Sequence, residues 1–305
     1  MSPDESLHDG RSAGAQDGAD AVSHSVLAPA AQTVPLVFAS PHSGDVYTPE
    51  LLASSRLAPL TLRRSEDAFV DRLYASVPAA GAPLLKAHFP RVFIDANREP
   101  FELDPEMFGE PLPDYVNQSS PRVASGLGTI ARVVANGEAI YAGPLDLAEA
   151  LHRIETHYVP YHRTLQRLLD ETFASFDCTL LIDCHSMPSI GGPMDADPGL
   201  KRVDFVLGDC HGTSCAPAII ALAETTLRRL GFSVRRNLPY AGGYTTRHYG
   251  RPRERRHALQ IEVNRALYMN EIAIRPTAGL QRLAAQLGEL VAALAAFDFA
   301  SLRGR

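Results

Sequence analysis

Runs of consecutive apolar residues alternate along the chain with segments in which apolar residues recur every third or fourth position. "VPLVFAS" at 34–40, "CTLLIDC" at 178–184, "VDFVLGD" at 203–209 and "HALQIEVN" at 257–264 are of the first kind and predict strands. "FSVRRN" at 232–237 predicts a shorter strand, and "RVFIDANR" at 91–98 is strand-like with a polar end. The second rhythm predicts helices. Phe69, Val70, Leu73 and Val77 lie on one helical face, with Ser65 as the expected N-cap. A long helical pattern runs from 145 to 173 and is expected to kink at Pro160, and another covers 216–230. Leu280, Leu283, Leu287, Leu290, Val291 and Leu294 form the packing stripe of a C-terminal helix. Strands alternating with helices predict an α/β domain around a mostly parallel sheet.

In such sheets ligands bind beyond the carboxyl ends of the strands, and that is where this chain places its polar residues. "PHSG" follows the first strand, "DANR" ends the segment at 91–98, "DCHS" ends the strand at 178–184, and "IEVNR" ends the strand at 257–264. Residues 99–144 are rich in Pro and Gly and read as a long loop or lid over the site. Residues 1–32 are dominated by Ala, Ser, Gly and Asp and predict a disordered N-terminal tail, with His8 and His24 as passengers. The remainder, 33–305, shows no internal boundary and reads as a single domain.

Composition narrows the partners. The chain has 305 residues, of which 45% are hydrophobic, enough for a large core. A net charge of -6 gives no basic face for nucleic acid, so an anionic substrate has to be held by a local group of arginines. Cys178, Cys184, Cys210 and Cys215 form no C-x-x-C pair and read as small buried thiols. The acidic start "MSPDESLHDG" lacks the apolar stretch of a signal peptide, and no apolar run is long enough to span a bilayer, so the expectation is a cytoplasmic protein without a membrane partner.

His42 and His185 end separate strands on one expected edge, as a zinc site built from converging imidazoles and a carboxylate requires. The acid is open: Glu66 and Asp67 start a helix, where acids also complement the helix dipole, and Asp45 lies three residues beyond His42. Asp183 is a supporting acid for an imidazole, sharing the face of His185 if the strand bends there. Glu262 alternates with Ile261 and Val263; it either faces solvent and pairs with Arg265, or faces the site as a desolvated general base. Arg98, beside Asn97, offers a fork for a carboxylate or an internal salt bridge to Asp95 or Glu99. Arg132 is a further cation near a Gly-rich segment. "GLGTIA" at 126–131 fits a dinucleotide fingerprint in letters only, since no strand precedes it. There is no G-x-S-x-G elbow for a serine nucleophile. His152, His157 and His162 share one helical segment without a common face and read as structural or exposed, His162 being the hardest to set aside.

Together, "SPHSGDVYTPELL", "SEDAFVDRLY", "RVFIDANREP", "GLGTIARVV", "YHRTL", "DCHSMPS", "LGDCHGTSC", "PYAGGYTTRHYGRP" and "HALQIEVNRALYMNE" resemble the N-formylglutamate amidohydrolase (N-formylglutamate deformylase) family, in that family's order and over nearly all of 33–275. The family is similar in turn to zinc carboxypeptidases. That resemblance implies a three-layer α/β/α sandwich with a mixed, mainly parallel sheet, of the phosphorylase/hydrolase-like kind. It implies zinc held by His42, His185 and an acid, with Asp67 a better match than Glu66 or Asp45. It further implies Asn97 and Arg98 as the grip on a substrate carboxylate and Glu262 as the catalytic base. Arg132 is then expected at the oxyanion, and Arg247 in "TTRHYG" at a second carboxylate. The implied reaction is cleavage of N-formyl-L-glutamate to formate and L-glutamate, in histidine degradation. Two alternatives stay open: a zinc enzyme acting on another N-acyl amino acid or a short peptide, and a non-catalytic carboxylate-binding protein.

Overall fold

The computed structural model describes residues 23–302. Seven of its strands form one sheet: β1 (His24–Leu27), β2 (Leu36–Ser40), β3 (Leu84–Ala87), β4 (Thr179–Met187), β5 (Phe205–Gly208), β6 (Val234–Arg236) and β7 (Arg256–Asn264). Their order is β1-β3-β2-β4-β7-β5-β6. The run β3, β2, β4, β7 is parallel. β1 and β5 lie antiparallel to β3 and β7, and β6 follows β5 in parallel. This is the mostly parallel α/β sheet that the two rhythms predict, mixed as the family resemblance implies.

The helices are α1 (Pro49–Ser54), α2 (Pro59–Leu62), α3 (Val70–Leu73), α4 (Pro121–Ala124), α5 (Leu147–Arg153), α6 (Val159–Phe176), α7 (Pro217–Arg229), α8 (Tyr244–Tyr249) and α9 (Gly279–Ala295). Because side chains on a strand alternate, each central strand feeds two cores. Leu36, Phe38, Leu180, Ile182, Leu259 and Ile261 point to one face, which α3, α7 and α9 close with Leu73, Ile220, Leu283 and Leu287. Val37, Ala39, Leu181 and Ala258 point to the other, under Tyr161, Leu165 and Leu169 of α6. With both faces covered, the nine residues of β4 are all buried. The Leu280 to Leu294 stripe of α9 is buried as its spacing requires.

Four expectations change. Residues 1–22 of the expected tail lie outside the described residues, but its last part is ordered: β1 pairs with β3, and His24 Nε2 bonds Thr164 Oγ1 at 2.8 Å. A four-residue edge strand is set by its partner, which local composition does not reveal. The helix expected after Ser65 shrinks to Val70–Leu73, because Ser65 ends a 3-10 turn and Phe69 takes a left-handed φ of 67°. Residues 91–98 form turns, not a strand, with Asp95 Oδ1 accepting from Asn97 N at 2.8 Å. Finally, the helical pattern from 145 onward breaks through a π turn at Ile154–Tyr158, directly before Pro160, whose ring cannot donate to the preceding turn.

Two buried imidazoles each add an acid-sensitive contribution to the stability of this fold. His257, at the start of β7, is 3% exposed, and neither ring nitrogen has a hydrogen-bond partner among the described residues. In α6, His162 donates from Nε2 to Ala96 O at 2.8 Å and accepts from Tyr249 at Nδ1. Burial depresses each to about 4. Between that value and about 6.5 the unfolded chain binds more protons than the folded one, so stability falls as pH drops through this window, by roughly 2–3 kcal/mol per group. Carboxylates held below their ordinary value lose their contribution only below it. Glu262 and His185, both raised in the folded chain, act in the opposite direction over this range, so the expected result is relative. With chelator present, the urea midpoint from pH 7 to pH 5 falls further, or rises less, in the parent than in His257→Gln. Parallel profiles for the two proteins would remove His257 from this explanation.

Candidate metal centre and active site

Three elements deliver one donor each to a single buried point. His42 follows β2, His185 lies near the end of β4, and Asp67 precedes α3; their donor atoms all fall within 4.8 Å of one another. The backbone fixes the first pair, since Asp67 N donates to His42 O at 3.0 Å. Asp67 Oδ2 lies 3.2 Å from His42 Nδ1 and 3.0 Å from His185 Nδ1. Its other oxygen, Oδ1, accepts from Arg265 Nη2 at 3.0 Å and from Ser186 Oγ at 3.4 Å. Of the acids left open by the sequence, Asp67 is the one that meets the imidazoles. Glu66 is tied instead to Arg63 Nε at 2.9 Å and Tyr47 OH at 2.7 Å, and Asp45 is exposed.

The outer nitrogen of each ring is also held. His42 Nε2 lies 2.7 Å from Asp95 Oδ1, and His185 Nε2 lies 3.0 Å from Asp183 Oδ1 and 3.1 Å from Asn97 Nδ2. Asp183 needs no bend to reach it. The strand runs on to Met187, and its period of two puts Asp183 and His185 on one face. Burial alone would lower the His185 imidazole, yet Asp183 and Asp67 hold it well above its ordinary value. Burial alone would raise Asp67, yet the two imidazoles hold its carboxyl well below the ordinary range.

A divalent cation fits these donors. Both Nδ1 atoms aim at the same carboxylate oxygen while His42 Nε2 faces Asp95, which requires either a proton on each Nδ1 or an ion between them. Outer nitrogens facing carboxylates orient metal-binding histidines in the same way. Two imidazoles and one carboxylate also match zinc in sites that keep a position open for water or substrate.

Glu262 completes the group. On β7 it is the register partner of His185, so the two share a face of the sheet. It is 7% exposed, and its Oε1 accepts from Gln260 Nε2 at 2.9 Å. Burial pushes its carboxyl up to about 7, the nearby His185 pulling it down and Asp67 pushing it further up. Of the two readings open for Glu262, the structure takes the inward one, while Arg265 turns to Asp67 and Ser186. Gln260 is the residue that sequence reasoning missed here. Two positions before Glu262 on one strand face, it donates to that carboxylate and accepts from Gly243 N at 2.8 Å.

These groups open into a cavity of about 440 Å³. The expected carboxylate grip lies in its wall. Asn97 accepts from Thr245 N at 2.8 Å, and a Cβ at Gly243 would come within 2.3 Å of its amide, so only glycine permits that approach. Arg98 is anchored by Nε to Leu127 O and by Nη1 to Asn97 O, both at 2.8 Å. Two other expected residues lie outside the cavity wall. Arg132 does not line the cavity; its Nε is bonded to Asp104 Oδ2 at 2.6 Å, a buried acid that the sequence does not mark as its partner. Arg247 is exposed outside the cavity, with Nη1 3.3 Å from Gly242 O. The cations that do line the cavity besides Arg98 are Arg91, Arg122 and Arg265. Arg91 donates to Asp95 Oδ2 at 2.8 Å. The "FPR" ahead of "DANR" carried no signal for it beyond proximity.

The segment at 99–144 does cover the site, as its irregularity suggested: Arg122, Ser125, Leu127, Ala131, Val133 and Ala135 wall the cavity. No helix among the described residues is long and apolar enough to cross a membrane.

Comparison with known proteins places the chain in one family. The family model described as N-formylglutamate amidohydrolase matches residues 34–269. An N-formylglutamate deformylase of Pseudomonas aeruginosa is 32% identical over 245 residues, covering 79% of this chain and 84% of that protein. One from Pseudomonas putida is 31% identical over 246 residues, covering 78% and 83%. The solved structure of an N-formylglutamate amidohydrolase from Ralstonia eutropha JMP134 superposes with a TM-score of 0.83 at 36% identity, covering 90% of this chain and 97% of that one. A gene product of Agrobacterium tumefaciens shares the fold at a TM-score of 0.61 and 19% identity, covering 89% and 94%.

Proposed function

The chain belongs to the N-formylglutamate amidohydrolase family, and from that premise we propose that it hydrolyses the formyl amide of N-formyl-L-glutamate to formate and L-glutamate, with a metal ion. The observation that carries this reading is the buried His42–Asp67–His185 group with Glu262 beside His185 on the same sheet face.

His42 Nδ1, His185 Nδ1 and Asp67 would hold the ion. When bound, zinc there acidifies water and polarises a carbonyl. Glu262 takes one proton from the attacking water and delivers it to the departing amine nitrogen as the C–N bond breaks, and Gln260 fixes the carboxylate for both transfers. A carboxyl raised by burial is matched to both halves of that exchange. Arg91, at the cavity wall beside Asp95, takes the oxyanion role expected of Arg132. Arg98 and Asn97 receive the carboxylate nearest the reacting amide. The chain from β1 onward acts as one catalytic unit, and histidine degradation is the setting that the family resemblance implies.

Purified protein, assayed for amine release from N-formyl-, N-acetyl- and N-succinyl-L-glutamate, is expected to prefer the formyl compound by about a hundredfold or more. Chelation should abolish the activity and zinc should restore it. Equal rates on formyl and acetyl substrates would move the reading to a general N-acyl amidohydrolase, and full activity after verified metal removal would end the metal-dependent one.

A further inference from the structure

Among the described residues, four arginines line the cavity: Arg91, Arg98, Arg122 and Arg265. Three of them are already engaged. Arg265 is held by Asp67, Ser186 and Arg64 O, and Arg91 by Asp95. Arg98 is fixed by two backbone carbonyls, with Asp95 at 3.6 Å from its Nη2. Arg122 differs. Among the described residues its guanidinium makes no ion pair and no hydrogen bond, although it lines the same cavity from α4.

Arg122 also stands near another cation. The backbone turn after α4 presents Leu127 O to Arg98, so both arginines belong to one wall. Burial lowers Arg98 to about 10, and with Asp95 raising it, the charge of Arg122 adds to the lowering. Arg98 has Asp95 within ion-pair distance and Glu102 acting on it, whereas Arg122 on the same wall has no acid paired with it among the described residues, so the pair of guanidiniums leaves positive charge for an anion. Their depths differ: Arg98 is 7% exposed and follows Asn97, which touches His185, whereas Arg122 is exposed at the mouth.

We propose that Arg122 is a specificity-determining residue that pairs with the distal, side-chain carboxylate of a dicarboxylic N-formyl amino acid, while Arg98 takes the carboxylate next to the scissile amide. This inference rests on the reading of the site as a deformylase. It also gives the second carboxylate a partner in place of Arg247, which lies outside the cavity. An arginine met by a carboxylate gains charge-assisted, two-pronged hydrogen bonds, and at an exposed position this is worth about tenfold in binding.

The test compares N-formyl-L-glutamate with N-formyl-L-norvaline, in which a methyl group stands for the distal carboxylate, on wild-type protein, Arg122→Gln and Arg122→Lys. Expected is a roughly tenfold higher KM for N-formyl-L-glutamate in Arg122→Gln with kcat within about twofold. N-formyl-L-norvaline should be unaffected, and Arg122→Lys should recover part of the KM. A structural role would instead change both substrates alike. Wild-type preference retained in Arg122→Gln, or parallel losses on both substrates, overturns the assignment while leaving the deformylase reading intact. Wild-type protein that cleaves neither compound sinks that reading and this one with it.

Discussion

Glu262→Gln is expected to lose about a thousandfold in kcat on N-formyl-L-glutamate while keeping its metal, since a positioned acid-base group contributes ~10²–10⁴-fold. The substitution removes little else. Glutamine keeps the shape, and its amide oxygen can still accept from Gln260 Nε2, the bond that orients the native carboxylate. What disappears is the ability to take a proton from water and return it to the amine. The pH profile sharpens the result. Burial raises the Glu262 carboxyl, and the base form exists only above its folded value; a bound cation lowers that value, so the acid limb of kcat/KM lies at or below about pH 7. The linkage has the opposite sign for stability. An acid raised on folding costs stability once it ionises, so metal-free Glu262→Gln should melt at the same temperature as the metal-free parent or higher at pH 8. An inactive variant that has also lost metal or melts much lower would point to a structural role for Glu262. Near-parental kcat would remove it from the chemistry.

Asp67→Asn should be more damaging still, because one carboxylate serves four neighbours. Oδ2 faces both imidazoles, and Oδ1 holds Arg265 and Ser186. An amide cannot supply the negative charge that both Nδ1 atoms and the ion require. Removal of a supporting carboxylate alone costs about 10–100-fold in metal affinity, and loss of a direct ligand should exceed that. Arg265 would also be left as a buried cation without its acid, at a cost on the order of 3 kcal/mol. The variant should therefore be purified with little metal, no formate release, and a lower urea midpoint. Asp183→Asn is the milder comparison, weakening metal by about 10–100-fold with activity recoverable at high zinc. Metal content and activity near parental levels in Asp67→Asn would place the ion elsewhere.

Much of this site could be read from the chain because the polar ends of buried strands are conspicuous. His185 and Glu262 interrupt runs of Leu, Ile and Val, and a parallel sheet has few reasons to bury such groups at its carboxyl edge. His42 follows for the same reason after β2. The acid was harder. Asp67 and Glu66 are neighbours of like charge, and their roles separate only when Glu66 pairs locally with Arg63 and across the fold with Tyr47 while Asp67 meets the imidazoles. Arginines were harder again. A long side chain can reach many partners, so Arg132 looked available until the fold placed Asp104 against it. Arg122 carried no local mark, because an uncompensated cation is defined by the absence of acids that only tertiary structure brings near or keeps away. Among the elements, α9 and β7 were plain from periodicity. The turn at 91–98 was not: its apolar residues pack into a core from irregular backbone, and the side-chain bond from Asp95 to Asn97 N replaces a strand ladder.

Anomalous X-ray diffraction from zinc-loaded crystals, recorded on both sides of the zinc edge, addresses the centre of the mechanism without an activity assay. The expected map shows one strong peak bounded by His42 Nδ1, His185 Nδ1 and Asp67, with Glu262 facing it. An active preparation whose zinc peak lies away from these three residues, or that shows none, would contradict the proposed metal centre.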